Sequence, residues 1–263
     1  MIDHKNHLSR IDDFAYSINI SQKCLKDIKM KGDILVDGKH QTVRYLLKEG
    51  ETIEFIFPDE INEIKPQNIP FKIVYEDDYL LVIDKPYNIA CIPTRGHPEH
   101  TLANALSYYY QTINLSSTIH LVNRLDKETT GLMIVAKYRY VHDLFCKDLY
   151  AISRKYRAHI IGRVNQGTIN KGISRKEKEM RRFIDDEGKP SVTHYKTIKD
   201  SYVEFSLETG RTHQIRVHMS SINHPLVGDS LYGDGEGQFD LDSYKLLFKH
   251  PITQQLIYIE KKA

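Results

Sequence analysis

The segment from Asn123 to Leu132 holds an acidic residue between two cations, an arrangement that can support nucleophilic chemistry. Asp126 follows Arg124 by two residues and directly precedes Lys127, and an apolar run with the character of a buried strand comes next. Nearby positive charge favours the ionised form of a carboxyl group. An ionised carboxylate on a loop beside such a strand can act as a nucleophile. The alternative is a surface loop with one ordinary ion pair, because ion-pair networks also perturb acids.

A second polar cluster lies where a predicted strand ends and a predicted helix begins, between residues 208 and 219. Thr212 can cap this helix, and helical spacing places Arg216 one turn beyond the cap. Side chains near the helix start can face one pocket, and the candidates are Arg211, His213, Gln214 and Arg216. The alternative is a capped helix end exposed to solvent.

Three further segments are weak signals when taken singly. Asp84, Lys85 and Pro86 end a predicted strand, and they also fit a simple turn. Tyr156 is predicted at the start of a strand, where a tyrosine at the edge of the core is the ordinary explanation. The glycine-rich segment 224–233 returns from the predicted helix and also fits a tight connection.

Composition indicates a soluble globular protein, with 40% hydrophobic and 27% charged residues in a chain of 263. The formal net charge of +2 neither requires nor excludes a nucleic-acid partner. Cys24, Cys91 and Cys146 are widely spaced and form no metal-ligand or disulfide pattern, so we expect no metal site and a reducing compartment. The first residues are polar and no apolar run approaches the length of a membrane span, which predicts a cytoplasmic protein without membrane contact.

The pattern of elements predicts two domains of unequal size. Residues 1–57 read as two helices, begun by Ser9 and Ser21, followed by short strands with a turn at residues 37–38. Residues 58–70 are rich in proline and acids, which predicts a linker that connects rather than packs. Residues 71–263 mix strands and helices without regular alternation. This predicts an α+β domain with a mixed, largely antiparallel central sheet flanked by helices.

The N-terminal module resembles the S-four-type RNA-binding module named after a ribosomal protein. The resemblance covers roughly residues 9 to 57, and it implies that lysines of the second helix, among them Lys23 and Lys26, contact RNA. The alternative is that these lysines form an ordinary solvent-exposed helix face.

The order and spacing of the five segments resemble the pseudouridine synthases of the large family that modifies ribosomal and transfer RNA. The resemblance implies that Asp126 is the nucleophile, that Arg216 pairs with it, and that Tyr156 stacks on the target base. It also places Asp84 and Lys85 at the strand end beside the substrate pocket. These two residues, with His213 and Gln214, are candidate contacts to the substrate RNA.

The reaction of this family is consistent with these residue types. It breaks the bond between uracil and ribose, turns the base and rejoins it through carbon, so we expect no metal and no cofactor. An ionised carboxylate can stabilise or attack the sugar carbon, as in glycoside cleavage. Because a buried uridine must first leave its helix, contacts to the RNA backbone are needed, and Arg124, Lys127 and Arg211 are the candidates.

The chain departs from the family pattern at three positions: Asn123 replaces the usual histidine, Thr130 replaces serine, and Asn88 replaces a glycine but can adopt a left-handed backbone. Because Asn123 replaces the usual histidine, the sequence does not predict the reaction rate or the substrate preference. Large-subunit ribosomal RNA is the expected substrate, with transfer RNA as the alternative, and a monomer is expected. Other hypotheses are a non-catalytic RNA-binding protein, or a glycoside hydrolase in which Asp84 supplies the second carboxylate.

Overall fold

The computed structural model describes residues 9–177 and 179–262, with only the backbone of Tyr150. Its helices are α1 Ile11–Ser17, α2 Gln22–Lys31, α3 Leu102–Thr112, α4 Arg139–Lys147 and α5 Gln214–Ser221. Its strands are β1 Asp33–Val36, β2 Lys39–His40, β3 Ile53–Ile56, β4 Lys72–Glu76, β5 Leu80–Lys85, β6 His120–Leu121, β7 Thr130–Ala136, β8 Ser153–His159, β9 Gln166–Asn170, β10 Ile173–Arg175, β11 Arg182–Ile184, β12 Val192–Lys199, β13 Tyr202–Leu207, β14 Asp242–Lys249 and β15 Leu256–Glu260. The chain forms two compact units, residues 1–63 with 114–118, and residues 64–113 with 119–263.

The first unit packs α1 and α2 with a three-stranded antiparallel sheet of order β2-β1-β3. Ser21 caps α2 as predicted, because its hydroxyl accepts a hydrogen bond from the Cys24 amide at 3.2 Å. Ser9 does not cap α1: the residue before that helix is Arg10, and it makes no side-chain cap. Exposed Lys23 and Lys26 lie on α2.

The second unit is built on a ten-stranded sheet, and its main path runs β4-β5-β7-β14-β8-β13-β12-β9. Strand β6 pairs with β7, and β15 pairs with β14. Every pairing in this sheet is antiparallel except that of β7 with β14. The prediction of a mixed, largely antiparallel α+β fold is therefore confirmed. Helix α4 covers one part of the sheet, where Val141 and Phe145 pack with Leu132, Ile134 and Phe248.

The parallel pairing of β7 with β14 brings together segments that are far apart in sequence. Thr130 aligns with Asp242, and Gly131 aligns with Ser243. Gly131 has a φ of 110°, and a β-carbon there would lie 2.3 Å from the Ser243 carbonyl oxygen. Only glycine fits both the backbone angle and the close approach. The loop before β7 is thereby fixed against the middle of the sheet.

The predicted linker packs in its second half, contrary to expectation. Within the second unit, the Gln67 amide donates to the Asn104 carbonyl at 3.0 Å, and the Ser107 hydroxyl donates to the Ile64 carbonyl at 2.8 Å. Ile69 is 8% exposed. The prolines suggested an extended connection, but an extended segment can also satisfy its backbone groups against a helix.

Candidate active site

One cavity of about 610 Å³ in the second unit is lined by the loop before β7, by β8 and by the turn before α5. The distant segments singled out in the sequence therefore meet at one site. The predicted residues that line it are Arg124, Asp126, Lys127, Tyr156, Arg211, His213, Gln214 and Arg216.

Asp126 lies on the loop that leads into β7, and its side chain is partly exposed to the cavity. The loop is closed by a hydrogen bond from the Thr129 amide to the Asp126 carbonyl at 3.1 Å. The Thr130 amide donates to the Leu241 carbonyl at 3.0 Å, which fixes the end of the loop to the segment before β14. Among the described residues, no hydrogen bond or ion pair engages the Asp126 carboxylate, so it is available to a substrate.

Tyr156 forms part of the cavity wall and lies in the middle of β8, not at the start of a strand as predicted. It is 6% exposed, and burial raises the pKa of its hydroxyl, while the charges of Arg154 and Asp126 act in opposite directions. A neutral aromatic ring held by a sheet provides a rigid flat wall on which a base can stack.

Arg216 binds a different carboxylate from the one predicted. Its guanidinium donates to both oxygens of Asp229, at 2.8 and 2.7 Å, and Asp229 is fully buried. The third nitrogen of the guanidinium lies 3.1 Å from Glu128, two residues after Asp126. The expected direct pair between Arg216 and Asp126 is therefore wrong in this structure. Arg216 reaches the loop of Asp126 through Glu128 instead.

The Asp229 carboxylate is well suited to hold a buried arginine. It also accepts hydrogen bonds from the amides of Leu231 and Tyr232, both at 3.0 Å. Burial opposes ionisation of Asp229, but its hydrogen bonds with Arg216 outweigh this, so that the pKa of Asp229 is lowered. Burial likewise acts to lower the pKa of Arg216, and Asp229 reverses that effect, so the net pKa is raised. Both partners stay charged.

The start of α5 differs from the prediction. His213, not Thr212, precedes the helix, and it has a left-handed backbone with a φ of 58° and no side-chain cap. Its Nδ1 lies 3.0 Å from the Tyr232 hydroxyl. Burial is the largest influence on His213 and lowers its pKa, although Asp126 acts in the opposite direction. His213 is therefore a neutral imidazole at neutral pH, facing the cavity.

Gln214 supports the turn and has no hydrogen-bonding capacity left for RNA, which corrects its predicted role. Its amide oxygen accepts from the Thr209 hydroxyl at 2.8 Å and from the Arg211 amide at 3.0 Å. Its amide nitrogen donates to the Val192 carbonyl at 2.9 Å and to the Thr193 hydroxyl at 3.1 Å. Two acceptor bonds and two donor bonds satisfy a primary amide.

Lys85 is fully buried, so the prediction that it contacts RNA is wrong. Its ammonium donates to the carbonyls of Pro86 at 2.9 Å, Ile89 at 2.9 Å and Lys127 at 3.0 Å. The last of these fixes the residue after Asp126. The turn between the first two acceptors contains Asn88, which has a left-handed backbone with a φ of 60° as predicted. Lys85 thus holds the loop that carries Asp126 in position.

The charge of Lys85 predicts an alkaline limit to activity. Burial lowers its pKa to about 8, and the opposing effects of Cys91 and Asp126 are smaller. Above this pH the neutral amine keeps two N–H donors and cannot hold three carbonyls. We expect kcat to fall about tenfold between pH 8 and 9.5 with the slope of one proton, and the fall to be absent in Lys85→Met, whose kcat is already low.

Stability should change in the opposite direction over this range. The unfolded chain keeps the Lys85 proton up to its ordinary pKa of 10.5, whereas the folded chain loses it near 8. The unfolded state therefore binds more protons between these values, and the contribution of Lys85 to the free energy of unfolding rises with pH. If the melting temperature falls together with kcat over this pH range, the loss of activity results from unfolding and the prediction is wrong.

Asp84 is engaged by an ion pair and is absent from the described cavity wall, which corrects its predicted contact with substrate. Lys261 bridges Asp84 at 2.8 Å and Asp242 at 2.7 Å. Asp242 also accepts from the Thr130 hydroxyl at 3.0 Å, and Arg157 lies 3.2 Å away. This network joins β5, β7, β8 and β14 next to the site and leaves Asp84 no role as a second catalytic carboxylate.

The remaining predicted RNA contacts keep accessible side chains. Arg124 and Arg211 are exposed at the cavity and Lys127 is partly exposed. Among the described residues, no group of three His, Cys, Asp or Glu side chains is arranged to hold a metal ion. No helix in the described ranges is both long and apolar enough to cross a bilayer.

Sequence reasoning gave no role to three residues at the site. Asp229 lies in the glycine-rich segment after α5, and an acid thirteen positions beyond an arginine gives no periodic signal. Glu128 was part of the first motif, but nothing local indicated its partner. Arg154 precedes Tyr156 by two positions, and strand periodicity could have placed both on one face.

Comparison with known proteins agrees with this geometry. Residues 79–221 match the family model described as RNA pseudouridylate synthase. The chain is 40% identical over 260 residues to the uncharacterized RNA pseudouridine synthase YjbO of Bacillus subtilis, covering 93% of this chain and 92% of that protein. It is 46% identical over 186 residues to ribosomal large subunit pseudouridine synthase D of Salmonella typhimurium, covering 66% of this chain and 56% of the relative.

A solved structure shows the same fold. Human RNA pseudouridylate synthase domain containing 1 superimposes with a TM-score of 0.60 at 25% identity, covering 74% of this chain and 84% of the human chain. The chain belongs to the RNA pseudouridylate synthase family, whose members are isomerases. The resemblance to this family is confirmed. The resemblance of residues 9 to 57 to an S-four-type RNA-binding module stays a prediction.

Proposed function

We propose that this chain is a cytoplasmic, monomeric RNA pseudouridine synthase that converts uridine to pseudouridine in large-subunit ribosomal RNA, with Asp126 as its nucleophile. The observation that carries this proposal is the free Asp126 carboxylate in a cavity walled by Tyr156 and lined by cations. The similarity to a ribosomal large subunit pseudouridine synthase supports the choice of RNA.

The arrangement supports the required chemistry step by step. Cleavage of the uracil–ribose bond develops positive charge at the sugar carbon, which the Asp126 carboxylate stabilises or attacks. The released uracil turns against the flat face of Tyr156 and joins the sugar through carbon. That carbon gives up its proton and the freed ring nitrogen takes one up, so composition is unchanged. Arg216, held by Asp229, keeps the loop in place through Glu128.

Mapping of pseudouridines in a strain that lacks this protein tests the proposal. We expect at least one uridine of large-subunit ribosomal RNA to remain unmodified and to regain modification when the wild-type chain is restored. If the lost positions lie in transfer RNA alone, the proposed substrate is wrong while the proposed reaction stands. If all positions persist and the purified protein leaves unmodified RNA unchanged, the proposed reaction is wrong.

The N-terminal module is proposed to hold RNA by charge, with Lys23 and Lys26 as contacts exposed on α2. We expect replacement of both lysines by glutamine to weaken RNA binding and to reduce the salt slope of log Kd by about 1 to 2, because each phosphate contact releases counterions. The kcat at saturating RNA should stay within about twofold. Binding measured over a series of salt concentrations checks this.

A matched control is the glutamine replacement of Lys196 and Lys199, which are two exposed lysines on β12. This variant loses the same total charge, so an equal change in salt slope for both variants would show that net charge, and not the helix surface, determines the effect.

A further inference from the structure

Arg154 is a cationic residue of the cavity wall that lacks an acceptor within the part of the chain that the structure describes. Its Nε is buried without a hydrogen-bond partner, and none of the described carboxylates forms an ion pair with its guanidinium. Gly210 leaves room beside the guanidinium, since a β-carbon there would lie 3.4 Å from its Nη1. The Arg154 side chain as a whole is partly exposed at the cavity, so its charge and its unsatisfied donor are available to an acceptor from outside the chain.

The same cavity contains most of the unsatisfied side-chain atoms in the described residues. Four buried side-chain polar atoms of the described residues lack a hydrogen-bond partner, and three of them belong to residues lining the cavity: Asn123 Nδ2, Thr129 Oγ1 and Arg154 Nε. The fourth, His250 Nε2, lies 3.0 Å from Asp77 in a geometry that suits an ion pair better than a hydrogen bond. Unsatisfied buried polar groups are rare, and their clustering at one cavity indicates a polar ligand.

Strand geometry relates Arg154 to the proposed base-binding residue. Arg154 and Tyr156 are two positions apart on β8, so their side chains leave the same face of the sheet about 7 Å apart. When a uracil ring stacks on Tyr156, the Arg154 guanidinium lies within reach of the sugar and phosphate of the same nucleotide. The only full negative charge of a uridine in RNA is its phosphodiester, and the planar fork of arginine matches two phosphate oxygens.

We propose that Arg154 binds the phosphate group attached to the flipped uridine and thereby holds this nucleotide in the cavity. The inference rests on the proposed function, because it assumes that the cavity receives a uridine of RNA. Arg154 acts as a binding residue in both the ground state and the transition state, so its loss should affect affinity more than turnover.

The test compares Arg154→Gln with Arg163→Gln, in which an exposed arginine outside the described cavity wall is replaced. The probe is a short RNA hairpin carrying the uridine that the chain modifies. We expect Arg154→Gln to raise KM and Kd about tenfold or more, since bonds to charged groups are strong, and to reduce the salt slope by about 1. The kcat should stay within about threefold, and Arg163→Gln should match the wild type.

A second probe identifies the phosphate. The same hairpin is made with a neutral methylphosphonate on either side of the target uridine. We expect one of these to weaken binding to the wild type about tenfold and to leave binding to Arg154→Gln unchanged, because the charge it removes has no partner in that variant. Equal losses in both proteins would overturn the proposal. A fall in kcat with an unchanged Kd would also overturn it, since the contact would then be to the reacting base.

Thermal unfolding separates this role from a structural one. Arg154→Gln removes no hydrogen bond or ion pair with another described residue, so we expect its melting temperature to equal that of the wild type. A melting temperature lowered by several degrees would show that Arg154 has a structural partner and would overturn the proposal. Asp126→Asn tests the proposed function separately: wild-type turnover in that variant would refute the proposed function, whereas loss of turnover there leaves the role of Arg154 to be decided by the binding measurements.

Discussion

Replacement of Asp126 by asparagine should abolish isomerisation while leaving the fold and RNA binding intact. The carboxylate makes no hydrogen bond or ion pair with another described residue, so the folded chain loses only its longer-range attraction to nearby charges such as Arg216. The amide carries no charge and is a poor nucleophile, so it can neither stabilise nor attack the sugar carbon. We expect kcat to fall by about four orders of magnitude or more, on the scale seen when other enzymes lose a nucleophile. Single-turnover formation of pseudouridine measures this.

The matched control is Asp186→Asn, which removes an exposed acid from the same unit. It should retain full activity, and both variants should have the melting temperature of the wild type. An Asp126→Asn protein that turns over within tenfold of the wild type would exclude Asp126 as the nucleophile. Activity of the wild type also decides against the hypothesis of a non-catalytic RNA-binding protein on this scaffold.

Replacement of Asp229 by asparagine should damage both stability and activity. The variant leaves the Arg216 guanidinium buried beside an amide that accepts through one oxygen in place of two. Breaking a buried ion pair from one side costs about 3 to 5 kcal/mol, because the remaining charge is uncompensated. We expect the free energy of unfolding to fall by about 3 kcal/mol. We also expect kcat to fall about 100-fold, since Arg216 then positions Glu128 and the loop poorly.

Chemical denaturation measures the first effect, and turnover at a temperature where both proteins are folded measures the second. Asp234→Asn is the control, because Asp234 is an exposed acid directly after the same glycine-rich segment and accepts a local hydrogen bond from the Glu236 amide. An Asp229→Asn protein with wild-type stability would show that Arg216 has another adequate acceptor.

The sequence predicted those parts of the molecule that depend on local pattern. The apolar run after Asp126 identified the buried strand β7, and Ser21 identified a helix start because a capping side chain acts within three residues. The motifs around Asp126, Tyr156 and Arg216 were assigned to one site, and the structure brings them to one cavity. These residue types were informative because few side chains can perform the chemistry of this reaction.

The parts that local pattern could not predict depend on distant partners. Lys85 looked exposed, as lysines usually are, but one of its three acceptors is Lys127, 42 residues away. The family resemblance implied that Arg216 pairs with Asp126, but its partner in the structure is Asp229, thirteen residues further along the chain. The parallel pairing of β7 with β14 joins positions 112 residues apart, for which the sequence contains no signal.

That strand pairing determines when the enzyme becomes competent during its own synthesis. Asp126 and its loop leave the ribosome early, yet the backbone that supports them at Leu241 and the neighbouring Ser243 is made more than a hundred residues later. Contacts between such distant segments close large loops and form late in folding. A nascent chain that has not reached β14 therefore holds Asp126 on an unsupported loop, and we expect activity only after β14 has been made.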